Sequence, residues 1–178
     1  MTGQPKHIAR KIYIKGLVQG VGFRPFIYVS AEKYHVHGWV ENRNDGVGIH
    51  AEGTEEQLTE FLGHVKNKPP RASNILNIQT LEAEFKNFES FSIVKSKNTS
   101  NEVTEISPDI SICQDCLNDL KTQTHRIDYP FINCTNCGPR FSIIKDLPYD
   151  RDKTTMAPFK MCQDCHGEYT NIYDRRFH

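Results

Sequence analysis

The 178-residue chain has no excess of charge of either sign, since Lys+Arg and Asp+Glu both count 22. That balance excludes a nucleic-acid binder working by bulk positive charge, and equally an acidic tail protein. No run of about 18 apolar residues occurs, and the opening Met1-Thr-Gly-Gln-Pro-Lys-His7 lacks the apolar stretch of a signal peptide. The sequence therefore predicts neither a membrane span nor signal-directed secretion, and a cytoplasmic setting is expected. Cysteine is missing from the first 112 residues, yet six follow. So uneven a distribution predicts two parts of different design.

In the cysteine-free part, strand and helix signals alternate. Ile12, Ile14 and Gly16 share one parity in the strand Lys11–Val18, which feeds the turn Gln19-Gly20-Val21-Gly22. Pro25 suits the first turn of a helix that runs to about His35 and carries Phe26, Ile27, Ser30 and Tyr34. Val36–Asn42 and Val47–Glu52 read as strands joined by the turn Asn44-Asp45-Gly46. Thr54 with Gln57 forms a capping box for a second helix, Glu55 and Glu56 suit its N-terminal dipole, and Pro69-Pro70 stops it. Leu58, Phe61, Leu62 and Val65 give that helix its apolar face. Strands near Asn74–Leu81 and Phe91–Lys95 complete the part. The order β-α-β-β-α-β predicts an α+β ferredoxin-like sandwich over residues 1–96, with a four-stranded antiparallel sheet and two helices on one face. Residues 97–107, polar and without periodicity, read as a linker to a region spanning 108–178.

A glycine-rich turn between a strand and its helix collects backbone N–H groups at the positive end of the helix dipole, a natural seat for an anion. The string Gly16-Leu-Val-Gln-Gly-Val-Gly-Phe-Arg24 has neither the Gly-Lys-Ser/Thr of a P-loop nor the Gly-x-Gly-x-x-Gly of a dinucleotide site. Arg24 instead stands at its exit, where a planar guanidinium can grip two phosphate oxygens. Taken alone, the string also reads as a tight turn followed by a surface arginine.

The six cysteines form three Cys-x-x-Cys pairs, Cys113/Cys116, Cys134/Cys137 and Cys162/Cys165. Without a secretory signal such spacing reads as metal ligation rather than disulfide stapling. Cys113 and Cys116, followed after 17 residues by Cys134 and Cys137, match a structural tetrathiolate Zn2+ site. Cys113-Gln-Asp-Cys116 then recurs word for word as Cys162-Gln-Asp-Cys165, a shift of 49 residues, and the same shift places His125-Arg126 on Asp174-Arg175. Two tandem modules are expected, 113–137 and 162–178, with the second interrupted before its last two ligands, as in a fragment of a longer protein. Cys162 and Cys165 are then ligands lacking a complete set, to which His166, His178 or a neighbouring chain could add. Modules this small depend on metal for much of their folding energy.

Gly16 to Arg24, followed by Gly38-Trp-Val-Glu-Asn-Arg-Asn-Asp-Gly46, resembles the acylphosphatase family. The resemblance implies that Arg24 and the amides of Gln19, Gly20, Val21, Gly22 and Phe23 bind phosphate, and that Asn42 positions the attacking water. An acyl phosphate is a mixed anhydride with a good leaving group, so charge neutralisation and alignment of water suffice, and no general base is required. His35, His37 and His50 lie nearby in sequence and read as solvated or structural. The acylphosphatase signature followed by Cys-x-x-Cys pairs, with Ile132-Asn-Cys-Thr-Asn-Cys-Gly-Pro-Arg140 and Arg175-Arg-Phe-His178, is similar to the start of the HypF family of hydrogenase-maturation carbamoyltransferases. That resemblance implies carbamoyl phosphate as the acyl phosphate and, through a longer parent, HypE as partner. Three readings follow: an acyl-phosphate hydrolase tied to structural zinc, a non-catalytic zinc-dependent interaction module on the same fold, and a nucleic-acid-binding zinc protein. Residues 97–178 hold Lys+Arg 10 against Asp+Glu 12, and thiolate ligands add negative charge, which disfavours the third.

Overall fold

Thr54 organises the centre of the first half. Its hydroxyl accepts the Gln57 amide at 3.2 Å while Gln57 Oε1 accepts the Thr54 amide at 2.7 Å, closing the predicted capping box at the start of a helix. The computed structural model of the chain describes residues 6–96, 105–129, 132, 134–138 and 140–177. The elements of the first half, in chain order, are β1 His7–Leu17, α1 Phe23–Lys33, β2 His37–Arg43, β3 Gly46–Thr54, α2 Glu55–Asn67, β4 Asn74–Ala83 and β5 Phe91–Ile93. The cysteine-bearing half carries two short helices, α3 Gln114–Thr122 and α4 Gln163–Thr170. Among the described residues no helix is long and apolar enough to cross a membrane.

The sheet is ordered β4-β1-β3-β2-β5, with β1 antiparallel to β3 and β4, and β2 antiparallel to β3. Here the expectation of four antiparallel strands needs correcting. β5 adds a fifth strand at the edge, parallel to β2, because the chain leaves β4 at one side and returns beside β2. Residues 97–104 of the expected linker lie outside the described residues; beyond them Ile106 bridges Gln19, and Ser107 is buried.

Ile12, Ile14, Val40 and Ile49 of the sheet meet Ile27 of α1 and Phe61 of α2 in one core, each at most 1% exposed. Phe61 alone contributes about 1.5–3 kcal/mol by leaving water. The opposite face of β3 is covered as well. His50 stacks on Trp39 with 6.0 Å between ring centroids, and its Nε2 lies 2.8 Å from Glu52 Oε1. Glu52 in turn accepts the amides of Lys86 and Phe88 from the segment before β5. His37 Nδ1 lies 2.9 Å from the Phe88 carbonyl. His37 and His50 are thus tied to the segment before β5 directly or through Glu52.

Candidate active site and cysteine cluster

β1 ends in a bulge at Lys15/Gly16, and the chain then turns through Gly20 and Gly22 with φ of 69° and 71°. Those left-handed angles are what the glycines supply, since a side chain there would be strained. Gly22 is the N-cap of α1 and offers no capping side chain, while Pro25 lacks an N–H. α1 begins at Phe23, which places Pro25 in the first turn as the sequence predicts and puts Arg24 in that turn with it. Asn42 lies near the end of β2 on the same side of the sheet as Val40, and only 2% of it is exposed.

Arg24 and Asn42 come together on one group. The main-chain carbonyl of Tyr149 accepts Asn42 Nδ2 at 3.3 Å and Arg24 Nη2 at 3.4 Å. Arg24 Nη1 donates to Asp150 Oδ1 at 3.0 Å and to Ser96 Oγ at 3.4 Å. The Tyr149 amide donates to Gln19 Oε1 at 3.1 Å. One peptide segment of the cysteine-bearing half thus lies across the glycine turn, clasped by Gln19, Asn42 and Arg24. The Gln19 side chain also donates to the carbonyls of Arg43 and Gly46, so it ties the turn to the β2–β3 hairpin and leaves phosphate, if bound, to the main chain.

Because Asn42 gives its Nδ2 to a carbonyl, the orientation of its amide is fixed, and its Oδ1 is left buried with no partner among the described residues. A buried acceptor in that state costs about 1–3 kcal/mol. A hydrogen-bond donor such as water would satisfy that acceptor. Tyr149 and Asp150 are the site residues that sequence reasoning does not find, because no local motif connects Leu147-Pro148-Tyr149-Asp150 to a turn more than a hundred residues away.

In the second half the Sγ atoms of Cys113, Cys116 and Cys137 lie within 4.8 Å of one another. Cys134 is 2% exposed beside them, and its sulfur accepts the Cys113 amide at 3.1 Å. Cys113 caps α3, its sulfur accepting the Cys116 amide at 3.5 Å. Burial pushes the Cys116 and Cys137 thiols up from their ordinary range. At Cys113 burial acts the same way but is outweighed by hydrogen bonds from the Cys116 amide and the neighbouring thiols, so that thiol is held low. Buried thiols ionise only beside positive charge. Arg175 supplies one cation, with Nη1 2.9 Å from Cys137 Sγ, and a soft divalent ion of tetrahedral preference fits the remaining need. Cys113, Cys116 and Cys137 therefore suit a metal, while the sulfur of the fourth predicted ligand, Cys134, lies outside that group and accepts the Cys113 amide instead.

Cys162 and Cys165 stand apart from that cluster. Cys162 caps α4 through the Cys165 amide at 3.5 Å, repeating the Cys113 cap 49 residues on. Arg126 Nη2 lies 3.5 Å from Cys165 Sγ, and both its terminal nitrogens bind the Glu168 carboxylate. His178 lies outside the described residues.

Fold and site together define the class: an α+β sandwich whose glycine turn, arginine and buried asparagine converge, joined to a finger of paired cysteines. The acylphosphatase family matches residues 10–93 and the HypF finger residues 112–144. An acylphosphatase of Archaeoglobus fulgidus is 44% identical over 87 residues, which cover 48% of this chain and 97% of that protein. The chain belongs to the acylphosphatase family through its first half, and its second half carries a HypF finger. Across its length it is 41% identical over 171 residues to the carbamoyltransferase HypF of Rhodobacter capsulatus, covering 96% of this chain and 23% of that protein. A crystal structure of full-length HypF in a phosphate- and nucleotide-bound form superposes with a TM-score of 0.92 at 49% identity, over 100% of this chain and 24% of that one. The chain spans about a fifth of the length of the curated carbamoyltransferase relatives it matches.

Proposed function

We propose that the first half hydrolyses acyl phosphates, carbamoyl phosphate foremost, and that in a longer parent this step precedes carbamoyl transfer to HypE. The observation that carries the reading is the convergence of Arg24 and the buried Asn42, whose Oδ1 lacks a partner, beside a glycine turn at a helix N-terminus. In this reading the amides of Gln19 to Phe23 and the Arg24 guanidinium take the phosphoryl oxygens and offset their growing charge. Asn42 Oδ1 accepts a hydrogen bond from water and aims its oxygen at phosphorus. As the water–phosphorus bond forms, the bond from phosphorus to the acyl oxygen breaks. The carboxylate or carbamate departs with that electron pair, and the water's proton passes to a phosphoryl oxygen.

For the finger we propose structural zinc on Cys113, Cys116, Cys134 and Cys137, with Cys162 and Cys165 belonging to a second site. Zinc there supplies tetrahedral cross-linking, and the cysteines supply charge and position. Phosphate release from carbamoyl, acetyl and benzoyl phosphate, measured on the chain and on Arg24→Ala, tests the hydrolase reading. The wild-type chain is expected to turn over carbamoyl phosphate and the variant to lose the activity. No release from any of the three by the wild-type chain would overturn the reading.

A further inference from the structure

The residue that touches Arg24 most closely comes from the other half of the protein. Asp150 Oδ1 lies 3.0 Å from Arg24 Nη1, with the arginine side chain 12% exposed and the aspartate 34%. A guanidinium has five N–H donors in a fixed plane. Asp150 and Ser96 take Nη1 and the Tyr149 carbonyl takes one hydrogen of Nη2, leaving Nε and the other Nη2 hydrogen without an acceptor among the described residues. Two remaining donors are what two phosphoryl oxygens require. The same segment sets the Asn42 amide through the Tyr149 carbonyl, and it is anchored in turn by Gln19.

We propose that Asp150 is a positioning residue of the phosphoryl site, holding Arg24 so that its free donors face the glycine turn. This rests on the hydrolase reading above and extends the site into the cysteine-bearing half. An arginine side chain without such an anchor keeps rotamer freedom, which phosphate binding must then overcome. A carboxylate close to a bound phosphate also repels it, so the two effects oppose each other, and their balance can be measured. A side-chain oxygen that accepts the Nη1 hydrogen without charge keeps the first effect and removes the second.

The experiment uses the full chain as Asp150→Ala and Asp150→Asn, with acetyl phosphate hydrolysis and the dissociation constant for inorganic phosphate as readouts. Asp150→Ala is expected to lower kcat/KM by about tenfold and to weaken phosphate by a similar factor. Asp150→Asn, which still accepts from Nη1, is expected to recover most of both. Tighter phosphate and a lower KM in Asp150→Ala would show a competitor for Arg24 and overturn the proposal. Unchanged values in both variants would reduce the contact to a surface ion pair and overturn it too. If Asp150→Ala does not fold, Asp150→Glu replaces it: displacing the carboxylate by one methylene is expected to weaken phosphate, and unchanged affinity would overturn the proposal. A wild-type chain that binds phosphate yet hydrolyses no acyl phosphate would sink the hydrolase reading while leaving Asp150 testable through affinity.

Discussion

Arg126 and Arg175 occupy equivalent places 49 residues apart, and each lies on the other's module. Arg126 reaches Cys165 and Glu168, while Arg175 reaches Cys116, Cys137 and Asp119. Shifted by the repeat, Cys116 becomes Cys165 and Asp119 becomes Glu168, so the exchange is reciprocal. Residue-for-residue reciprocity is the contact pattern of a two-fold pair. Arg176 adds a second cation to Asp119, and together the arginines hold that carboxylate low against the opposing effect of its burial.

Replacing Arg175 by alanine removes the cation beside two buried sulfurs and from one side of Asp119. The cysteine half is expected to lose about 1–3 kcal/mol, with Arg176 retaining part of the contact. Thermal unfolding of Arg175→Ala and Arg126→Ala measures this. Equal melting temperatures for both variants and the wild type would show that the exchange contributes nothing.

Arg24→Ala is expected to abolish phosphate binding, whereas Asn42→Ala keeps binding and loses turnover by at least about a hundredfold, because it removes the acceptor for water. Steady-state kinetics combined with phosphate titration separate the two. Near-normal turnover in Asn42→Ala would remove Asn42 from its assigned role.

Metal content near one zinc per chain is expected, held by the first four cysteines. Chelation is expected to unfold the cysteine half while the capped, well-packed first half keeps its far-ultraviolet spectrum. Two ions per chain with no bridge to another molecule would show that Cys162 and Cys165 find a complete ligand set within the chain, and would overturn the expectation of an interrupted second module.

Glu52 supplies the clearest pH dependence. Burial raises its carboxyl, but the Lys86 amide, His50 and the Phe88 amide outweigh this and hold it below its ordinary value. A folded-state pKa below the unfolded one stabilises above the unfolded value, about 4.3, and that stability is lost as pH falls through the depressed one. Glu52→Gln is therefore expected to be less stable than wild type at neutral pH and to show a shallower loss on acidification below about pH 4. Denaturant midpoints at several pH values would reveal it. Parallel profiles for the two proteins would rule the effect out.

Thr54→Ala breaks the capping box and is expected to cost about 1 kcal/mol. The drop in melting temperature can be compared with that of Gln57→Ala, which removes the other half of the same device.

The first half was legible because its signals are local. Thr54 and Gln57 are three residues apart, the apolar residues of α2 repeat at helical spacing, and the glycine turn is contiguous. The parallel pairing of β5 with β2 was not legible, because Phe91–Ile93 carries no mark of which strand it joins. The cysteine repeat and its arginines were visible in the sequence, but not that they exchange partners, since a shift in register says nothing about which copy a side chain meets. Tyr149 was hidden for a deeper reason. It contributes its backbone, and a main-chain carbonyl has no sequence signature.

The span between Gln19 and Tyr149 also has a consequence in time. The sheet is complete once Ile93 has been made, but the segment that roofs the glycine turn arrives only with Asp150. At translation rates of 5–20 residues per second, a nascent chain spends about 3–11 s with its sheet synthesised and that roof still missing. Each molecule is thus born with an uncovered glycine turn and acquires its cover during its own synthesis.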